Sequence, residues 1–301
     1  MLSRYPEQLA MSGYASSQRP APANPALPTE AVILGRIQET EDIFTLQLRL
    51  TDPDQQWRLG IQPGQFNMLY RFGVGEIPIS FKALGQDDQG QPVLEHTIRA
   101  VGRVSRALAA LKPGERIGLR GPFGQGWPLH QAENMDLCVV TGGLGCAPAV
   151  SIIEHAFANR PLYGHIHIIQ GVKHSTDLLW RSRYEYWAQQ PKTTVMMAAD
   201  VAAPGWPWYS GRVTELIKRL PLKPAQTLVC CCGPEPMMQA SAEQLIRQQV
   251  PADAIWLSME RNMQCATGHC GHCQFGADFI CCDGPVMPYP RLRDRLGLEG
   301  V

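Results

Sequence analysis

The tightest constraint on this chain lies near its end. Cys265, Cys270 and Cys273 fall at a C-x4-C-x2-C spacing, and Cys281 and Cys282 arrive shortly after, ahead of Asp283-Gly284-Pro285. That is the ligand spacing of a [2Fe–2S] cluster. Small residues between the sulfurs (Ala266, Thr267, Gly268 and Gly271) let the backbone curl so that amide N–H groups face them. Structural zinc sites usually show paired C-x2-C hooks, and only one such pair is present, so the set favours iron–sulfur over zinc. His269 and His272 stand as further candidate ligands. Cys281 and Cys282 are adjacent, so spacing alone leaves the fourth ligand open.

The rest of the composition narrows the setting. The 301 residues suffice for two or three domains, and 45% hydrophobic residues suffice for packed cores. A formal net charge of zero argues against a nucleic-acid partner. No apolar run reaches the length of a membrane-spanning helix, and residues 1–28 hold no apolar signal core. Ten cysteines in such a chain point to a reducing compartment, the cytoplasm, and to metal or redox use instead of disulfides.

Three patterns precede the cysteines. Residues 1–29 form a proline-rich arm, expected to be mobile or to lie along a partner subunit. Residues 30–130 read as short strands: Ala31–Ile37, Ile43–Leu50, Phe66–Tyr70, Ile79–Ala83, Glu95–Val101 and Glu115–Arg120, with turn residues between them. Six or so short strands predict a small antiparallel barrel. Residues 131–258 alternate strand and helix. Strands are expected at Leu137–Thr141, His165–Gln170, Thr194–Ala198, Thr227–Cys231 and Ala254–Ser258, and helices at Val150–Ala158, Asp177–Gln189, Val213–Leu220 and Pro236–Gln248. That is an open parallel sheet covered by helices on both faces. Residues 259–301 have little periodicity and carry the cysteine knot.

Several positions have the chemistry of a cofactor site. Arg99 offers charge for a pyrophosphate, and Gly102, Val104 and Ser105 open an expected helix, Arg106 to Leu111, whose first amides suit a phosphate. Ser105 also suits an N-cap. Thr141-Gly142-Gly143-Leu144-Gly145 is a glycine-rich turn between strand and helix, where α/β sheets bind nucleotides. Cys232-Gly233-Pro234 ends a later strand at the same edge, where a small thiol can pack on a nicotinamide or simply be buried. Asp200 suits a free ribose, whereas Lys173, Arg181 and Arg183 suit a 2′-phosphate. The loop from Ala203 to Tyr209 is placed either to cover the nucleotide or to face a partner.

With these segments in place, residues 30–295 resemble the ferredoxin–NADP reductase superfamily. The resemblance is closest to its branch ending in a [2Fe–2S] domain, which includes the gamma (diaphorase) subunits of cytoplasmic NAD(P)-linked [NiFe] hydrogenases and the electron-transfer subunits of dihydroorotate dehydrogenase B and anaerobic sulfite reductase. The terminal stretch from Met259 through Cys265 to Val286 is the most specific part of it.

The resemblance implies an FAD-binding barrel, a Rossmann-like NAD(P)-binding sheet and a small C-terminal cluster domain. It maps the flavin loop onto Ile77, Pro78, Ile79 and Ser80, then Thr97, Ile98 and Arg99, then Val104 and Ser105. Gly121-Pro122-Phe123-Gly124 matches the loop after the barrel. The superfamily often has arginine where Ile77 stands, so Arg99 becomes the candidate for the flavin phosphate. Cys146 stands where an aliphatic residue is usual. The NAD(P) turn maps onto Thr141, Gly142, Gly143 and Gly145, and the nicotinamide motif onto Cys232, Gly233 and Pro234, with Cys232 in the catalytic position. The cluster ligands map onto Cys265, Cys270, Cys273 and Cys281, leaving Cys282 as an extra thiol.

The function so implied is electron transfer between NAD(P)H, FAD and a [2Fe–2S] cluster, to or from the catalytic and iron–sulfur subunits of a hydrogenase. A reductase subunit of a sulfite reductase or of a dihydroorotate dehydrogenase B complex is the nearest alternative. A zinc-stapled, non-enzymatic assembly subunit is the alternative from a different class.

Overall fold

The computed structural model describes residues 25–52 and 60–298. The proline-rich arm lies, up to residue 24, outside them. Alternation builds the first half. In Ile43–Leu50, Phe44, Leu46, Leu48 and Leu50 are buried while Gln47 and Arg49 face outward. The strands are β1 (Thr29–Gln38), β2 (Ile43–Leu50), β3 (Phe66–Arg71), β4 (Gly75–Ser80), β5 (Ala83–Gln86), β6 (Pro92–Arg99) and β7 (Arg116–Phe123), with helix α1 (Arg103–Ala109) between the last two. They form one antiparallel sheet in the order β4-β3-β7-β1-β2-β6-β5, curled around Phe44, Leu46, Leu69, Leu94, Ile98 and Leu119. Pro78 is tolerated because β4 is an edge strand.

The second half alternates β8 (Asp136–Gly142), α2 (Cys146–Ala158), β9 (Ile166–His174), α3 (Arg181–Ala188), β10 (Thr193–Val201), β11 (Tyr209–Ser210), α4 (Val213–Ile217), β12 (Thr227–Cys232), α5 (Glu235–Arg247) and β13 (Ile255–Ser258). β8 and β12 are buried at every residue, which is why they read as continuous apolar runs. A short hairpin, β14 (Gln274–Phe275) with β15 (Asp278–Phe279), then α6 (Ile280–Asp283), β16 (Val286–Pro288) and α7 (Tyr289–Leu292) complete the chain. The sheet order is β11-β10-β9-β8-β12-β13-β16, parallel throughout except for β16, which runs antiparallel to β13. The cysteine-bearing segment therefore contributes a strand to the nucleotide sheet.

The helix expected at Arg106–Leu111 runs Arg103–Ala109, the helix expected at Val213–Leu220 stops at Ile217, and two further elements differ for local reasons. Residues 79–83 straddle a strand switch: Phe81 N–H bonds Gln65 O at 3.0 Å, whereas Lys82 N–H bonds Glu95 O at 2.9 Å, so β4 ends and β5 begins between them. The helix expected from Asp177 starts at Arg181, because Trp180 sits in the left-handed region at φ 52°.

One core crosses all three segments. Phe66 and Met68 of β3, Cys138, Val140 and Cys231 of the parallel sheet, and Met263, Cys273, Phe275 and Cys281 of the terminal segment belong to the same buried cluster. Among the described residues, no helix is long and apolar enough to cross a membrane.

Candidate functional site

The knot is shaped by its backbone. Ala266, Gly268 and Gly271 are left-handed, at φ 61°, 75° and 77°, and so turn successive amides inward. The N–H groups of Thr267, His269 and Cys270 lie 3.4, 3.3 and 3.4 Å from Cys265 Sγ. Gly268 N–H lies 3.2 Å from Cys281 Sγ. Burial opposes ionisation of Cys265, but the Thr267, Cys270 and His269 donors outweigh it and draw the thiol down to about 5. Cys281 is buried; burial and the facing Cys273 and Cys282 thiols push its own thiol up. Cys282 is exposed, with its Sγ 3.6 Å from that of Cys281. Cys270 is exposed, and among the described residues no three metal-binding side chains close on one point.

The donor set itself fits an iron–sulfur group. Amide N–H groups aimed at sulfur stabilise thiolates that carry extra negative charge, as cluster thiolates do. Cys265, Cys270, Cys273 and Cys281 are the residues that would hold it. Of the two adjacent thiols, Cys281 is the one that the Gly268 amide faces.

Both halves of the knot are fastened to one barrel strand or to the residues just after it. Arg120 in β7 is 7% exposed. Its Nε and Nη2 donate to the two carboxylate oxygens of Glu76 at 2.9 and 2.7 Å. Nη1 donates to Cys265 O at 3.2 Å and Pro25 O at 2.8 Å, and Nη2 also reaches Gln264 O at 3.4 Å. Just past β7, Gln125 Nε2 donates to Cys282 O at 3.0 Å, and Gln125 N–H to Gly284 O at 2.5 Å. The approach is so close that a Cβ on Gly124 would lie 2.5 Å from Pro285 Cδ. Nothing in the sequence marks these contacts: Arg120 falls on the outward phase of the alternation set by Ile117 and Leu119.

β7 pairs with β3, and β3 pairs with β4, which carries Ile77, Pro78, Ile79 and Ser80. Ile77 and Ile79 pack on the barrel core, and Ile98 lies within it. Thr97 Oγ1 bonds Thr45 Oγ1 at 2.8 Å. Behind Ser80, the buried His96 donates from Nδ1 to Ser80 O at 3.0 Å, which leaves Nε2 to accept from Asn67 Nδ2 at 3.1 Å. Burial holds His96 neutral, down to about 4. Arg99, expected to face phosphate, is exposed and pairs with Asp42 at 3.3 Å. Gly102 is the N-cap of α1, and Ser105 sits at N3, where its Oγ accepts from Gly102 N–H at 2.9 Å and Val101 N–H at 3.1 Å. Val104 packs on the same core.

At the carboxyl edge of the parallel sheet the two nucleotide motifs meet. β8 and β12 pair with Thr141 opposite Cys232. A Cβ on Gly145 would lie 2.3 Å from Cys232 O, so only glycine allows the turn to close on the second motif. Gly142 and Gly143 complete the turn, and Gly233 lies against Gly142. Pro234 caps α5. Thr141 Oγ1 donates to Ile169 O at 3.0 Å and to Gln170, whose Nε2 holds Gly143 O at 3.1 Å. Cys232 is buried at 3% exposure, and burial, then Glu260, raises its thiol. A cavity of about 190 Å³ lies along this edge, lined by Ser175, Thr176, Arg181 and Ala203–Pro207. Arg183 is engaged by Glu154 at 3.2 Å, and Arg181 by Glu185 and the Trp208 ring.

Barrel and nucleotide sheet are also clasped directly. Lys82, 5% exposed, pairs with Glu95 at 2.7 Å and sits 4.9 Å above the Trp180 ring, whose Nε1 donates to Glu39 at 2.8 Å. The left-handed Trp180 costs about 1–2 kcal/mol, offset by this clasp.

Residues 139–243 match the family model for an oxidoreductase NAD-binding domain. Over 259 residues the chain is 35% identical to sulfhydrogenase 1 subunit gamma of Pyrococcus furiosus, covering 84% of this chain and 87% of that protein. The chain belongs to the family of the sulfhydrogenase gamma subunits. That family extends to electron-transfer proteins of another name. A probable dihydroorotate dehydrogenase B (NAD(+)) electron transfer subunit of Methanocella arvoryzae is 32% identical over 262 residues, 86% of this chain and 90% of its own. In fold, this member of the family matches the solved NADH-dependent reduced ferredoxin-NADP oxidoreductase with a TM-score of 0.69, at 23% identity, over 88% of this chain and 92% of that one. It is thus an oxidoreductase of the ferredoxin reductase-like fold.

Proposed function

We propose that this chain is the NAD(P)H-oxidising, electron-transfer subunit of a hydrogenase complex. The turn at Thr141–Gly145 with Cys232–Pro234 binds NAD(P)H. The strand segments Ile77–Ser80 and Thr97–Arg99, with Gly102–Ser105, hold FAD. Cys265, Cys270, Cys273 and Cys281 hold a [2Fe–2S] cluster. When bound, these groups convert a two-electron hydride donor into single electrons, because nicotinamide gives two at once and the cluster takes one. The residues described do the rest. They fix the order of the three sites, keep water from the interior of the barrel, and hold the knot against the flavin strand.

The observation that carries this reading is the mounting of the knot. Both of its halves are hydrogen-bonded to β7 or the residues after it, β7 is two strands from the flavin-loop strand, and one core runs through barrel, sheet and knot. A zinc staple would need no such connection to β4. The partner is read from the gamma subunits that the chain matches, and a reducing, cytoplasmic setting from its ten cysteines. The division into 30–130, 131–258 and 259–301 is proposed as the functional one, with the last segment sharing the nucleotide sheet through β16. A dihydroorotate dehydrogenase B-type complex is the second reading, on the strength of the 32% identical relative.

The test is Cys273→Ser in the assembled complex. The variant should still bleach its flavin with NAD(P)H and should pass no electrons to the partner. A variant that reduces the partner at the wild-type rate overturns the relay. The subunits that co-purify with the chain decide between hydrogenase and dihydroorotate dehydrogenase.

A further inference from the structure

Arg120 lies outside every motif singled out in the sequence, yet it occupies the junction of the three segments. A guanidinium has five N–H donors in a fixed plane. All of them are used here: Nε and one Nη2 hydrogen on Glu76, the other on Gln264 O, and the two on Nη1 on Cys265 O and Pro25 O. Glu76 immediately precedes Ile77 in the flavin-loop strand. Cys265 is the first sulfur of the knot and receives three amide donors. The side chain is nearly dry, with 7% of Arg120 and 28% of the Glu76 side chain exposed. The Phe123 ring lies 5.4 Å from the guanidinium carbon.

We propose that Arg120, held by Glu76, is the positioning residue for electron transfer between flavin and cluster: it sets the separation of the flavin strand and the Cys265 loop, and its charge tunes the cluster potential. This rests on the relay reading above and deepens it. In the step concerned, one electron leaves the reduced flavin and one is gained by the cluster. Arg120 exchanges neither an electron nor a proton.

Geometry and charge make separate predictions. A planar fork is what bridges a carboxylate on one strand and carbonyls on another, and lysine cannot reproduce it. The rate of transfer therefore follows the fork. The potential follows the charge. A cation beside the cluster favours its reduced form, and the Glu76 carboxylate opposes that effect at this low-dielectric site.

The experiment uses the full chain loaded with flavin and iron, in Arg120→Met, Arg120→Lys and Glu76→Gln forms. Stopped-flow absorbance follows flavin reduction by NAD(P)H, freeze-quench paramagnetic resonance follows cluster reduction, and a redox titration gives the midpoint. In all three variants flavin reduction stays within about twofold of wild type, because the fork makes no hydrogen bond to Thr141–Gly145. Arg120→Met and Arg120→Lys slow the flavin-to-cluster step severalfold, since electron transfer weakens with every added ångström between donor and acceptor. The midpoint falls in Arg120→Met, stays near wild type in Arg120→Lys, and rises in Glu76→Gln. Merely loosened packing would not move it in opposite directions.

If Arg120→Met does not retain iron, the double variant with Glu76→Gln, which removes both charges, should retain it. That double variant should show the slow step with a midpoint near wild type. Iron-replete Arg120 variants with a wild-type transfer rate, or Arg120→Met and Glu76→Gln variants that leave the midpoint unmoved, overturn the proposal. A wild-type chain whose flavin is reduced while its cluster never is overturns the relay itself, and this proposal with it.

Discussion

Cys146 and Cys265 are the same residue in opposite surroundings. Five cysteines (Cys138, Cys146, Cys230, Cys231 and Cys232) are buried in the nucleotide sheet and its first helix, and five belong to the terminal knot. Burial pushes the thiols of Cys138 in the sheet and Cys146 at the start of α2 up to about 12. In the knot, amide N–H groups face Cys265 and bring it down to about 5 against its own burial. The difference comes from the backbone. A parallel strand or a helix commits its amides to its own hydrogen-bond ladder, whereas the left-handed residues at 266, 268 and 271 turn the amides of residues 267–270 toward sulfur. Cysteine count alone therefore says little about metal binding; what the amides face says more.

The largest effect should come from exchanging one sulfur in each set. Cys265→Ser should abolish iron binding and the visible absorbance of the cluster. Cys146→Ser should leave both intact and cost about 1–2 kcal/mol of stability for an added buried hydroxyl. Iron analysis and absorbance spectra of the two variants decide it. Iron retained in Cys265→Ser breaks the comparison.

Alkaline pH separates the sets next. A thiol held at about 12 in the fold, against 9.0 when free, stays neutral where the unfolded chain ionises. Its contribution is complete below pH 9 and is lost as pH rises from 9 towards 12, by about 4 kcal/mol per such thiol. Unfolding free energy should accordingly fall above pH 9. Cys138→Ala should flatten that limb while changing neutral-pH stability by only about 1 kcal/mol. An unchanged slope in Cys138→Ala and Cys146→Ala alike would mean that burial of these thiols is weaker than their packing indicates.

Much of this was legible because the sequence carries periodicity and punctuation. Alternating Phe44, Leu46, Leu48 and Leu50 marked a barrel strand, the apolar run Leu137–Thr141 marked a buried parallel strand, and Thr141–Gly145 with Cys232–Pro234 marked the edge where they meet. The knot was legible from spacing. The mounting was not. Arg120, Glu76 and Gln125 act across separations of 44 to 157 residues, and nothing local distinguishes them from surface residues. Arg99 carries the charge that its sequence position suggests, and in the fold it is exposed and paired with Asp42. β16 was missed because three residues, Val286–Pro288, are too few to show a period, and they form a strand only because β13 offers an open edge.

The smallest effects test whether the two regions are fastened independently. Gly145 and Gly124 both lie where a Cβ would collide with a neighbouring segment, at 2.3 Å from Cys232 O in one case and 2.7 Å from Gly284 O in the other. Gly145→Ala forces the nucleotide turn off the Cys232 strand. It should raise KM for NAD(P)H roughly tenfold, a loss of about 1.4 kcal/mol of binding, with iron content and the cluster spectrum unchanged. Gly124→Ala acts at φ +77°, so the added methyl is strained as well as crowded. It should leave KM within about twofold and lower stability by about 1–3 kcal/mol, with the knot the first part to open in hydrogen exchange. The two outcomes must cross for the comparison to hold. If Gly124→Ala weakens NAD(P)H as much as Gly145→Ala does, then the shared core through Met68, Cys231 and Cys281 transmits strain between the sites, and the knot and the nucleotide edge behave as one unit.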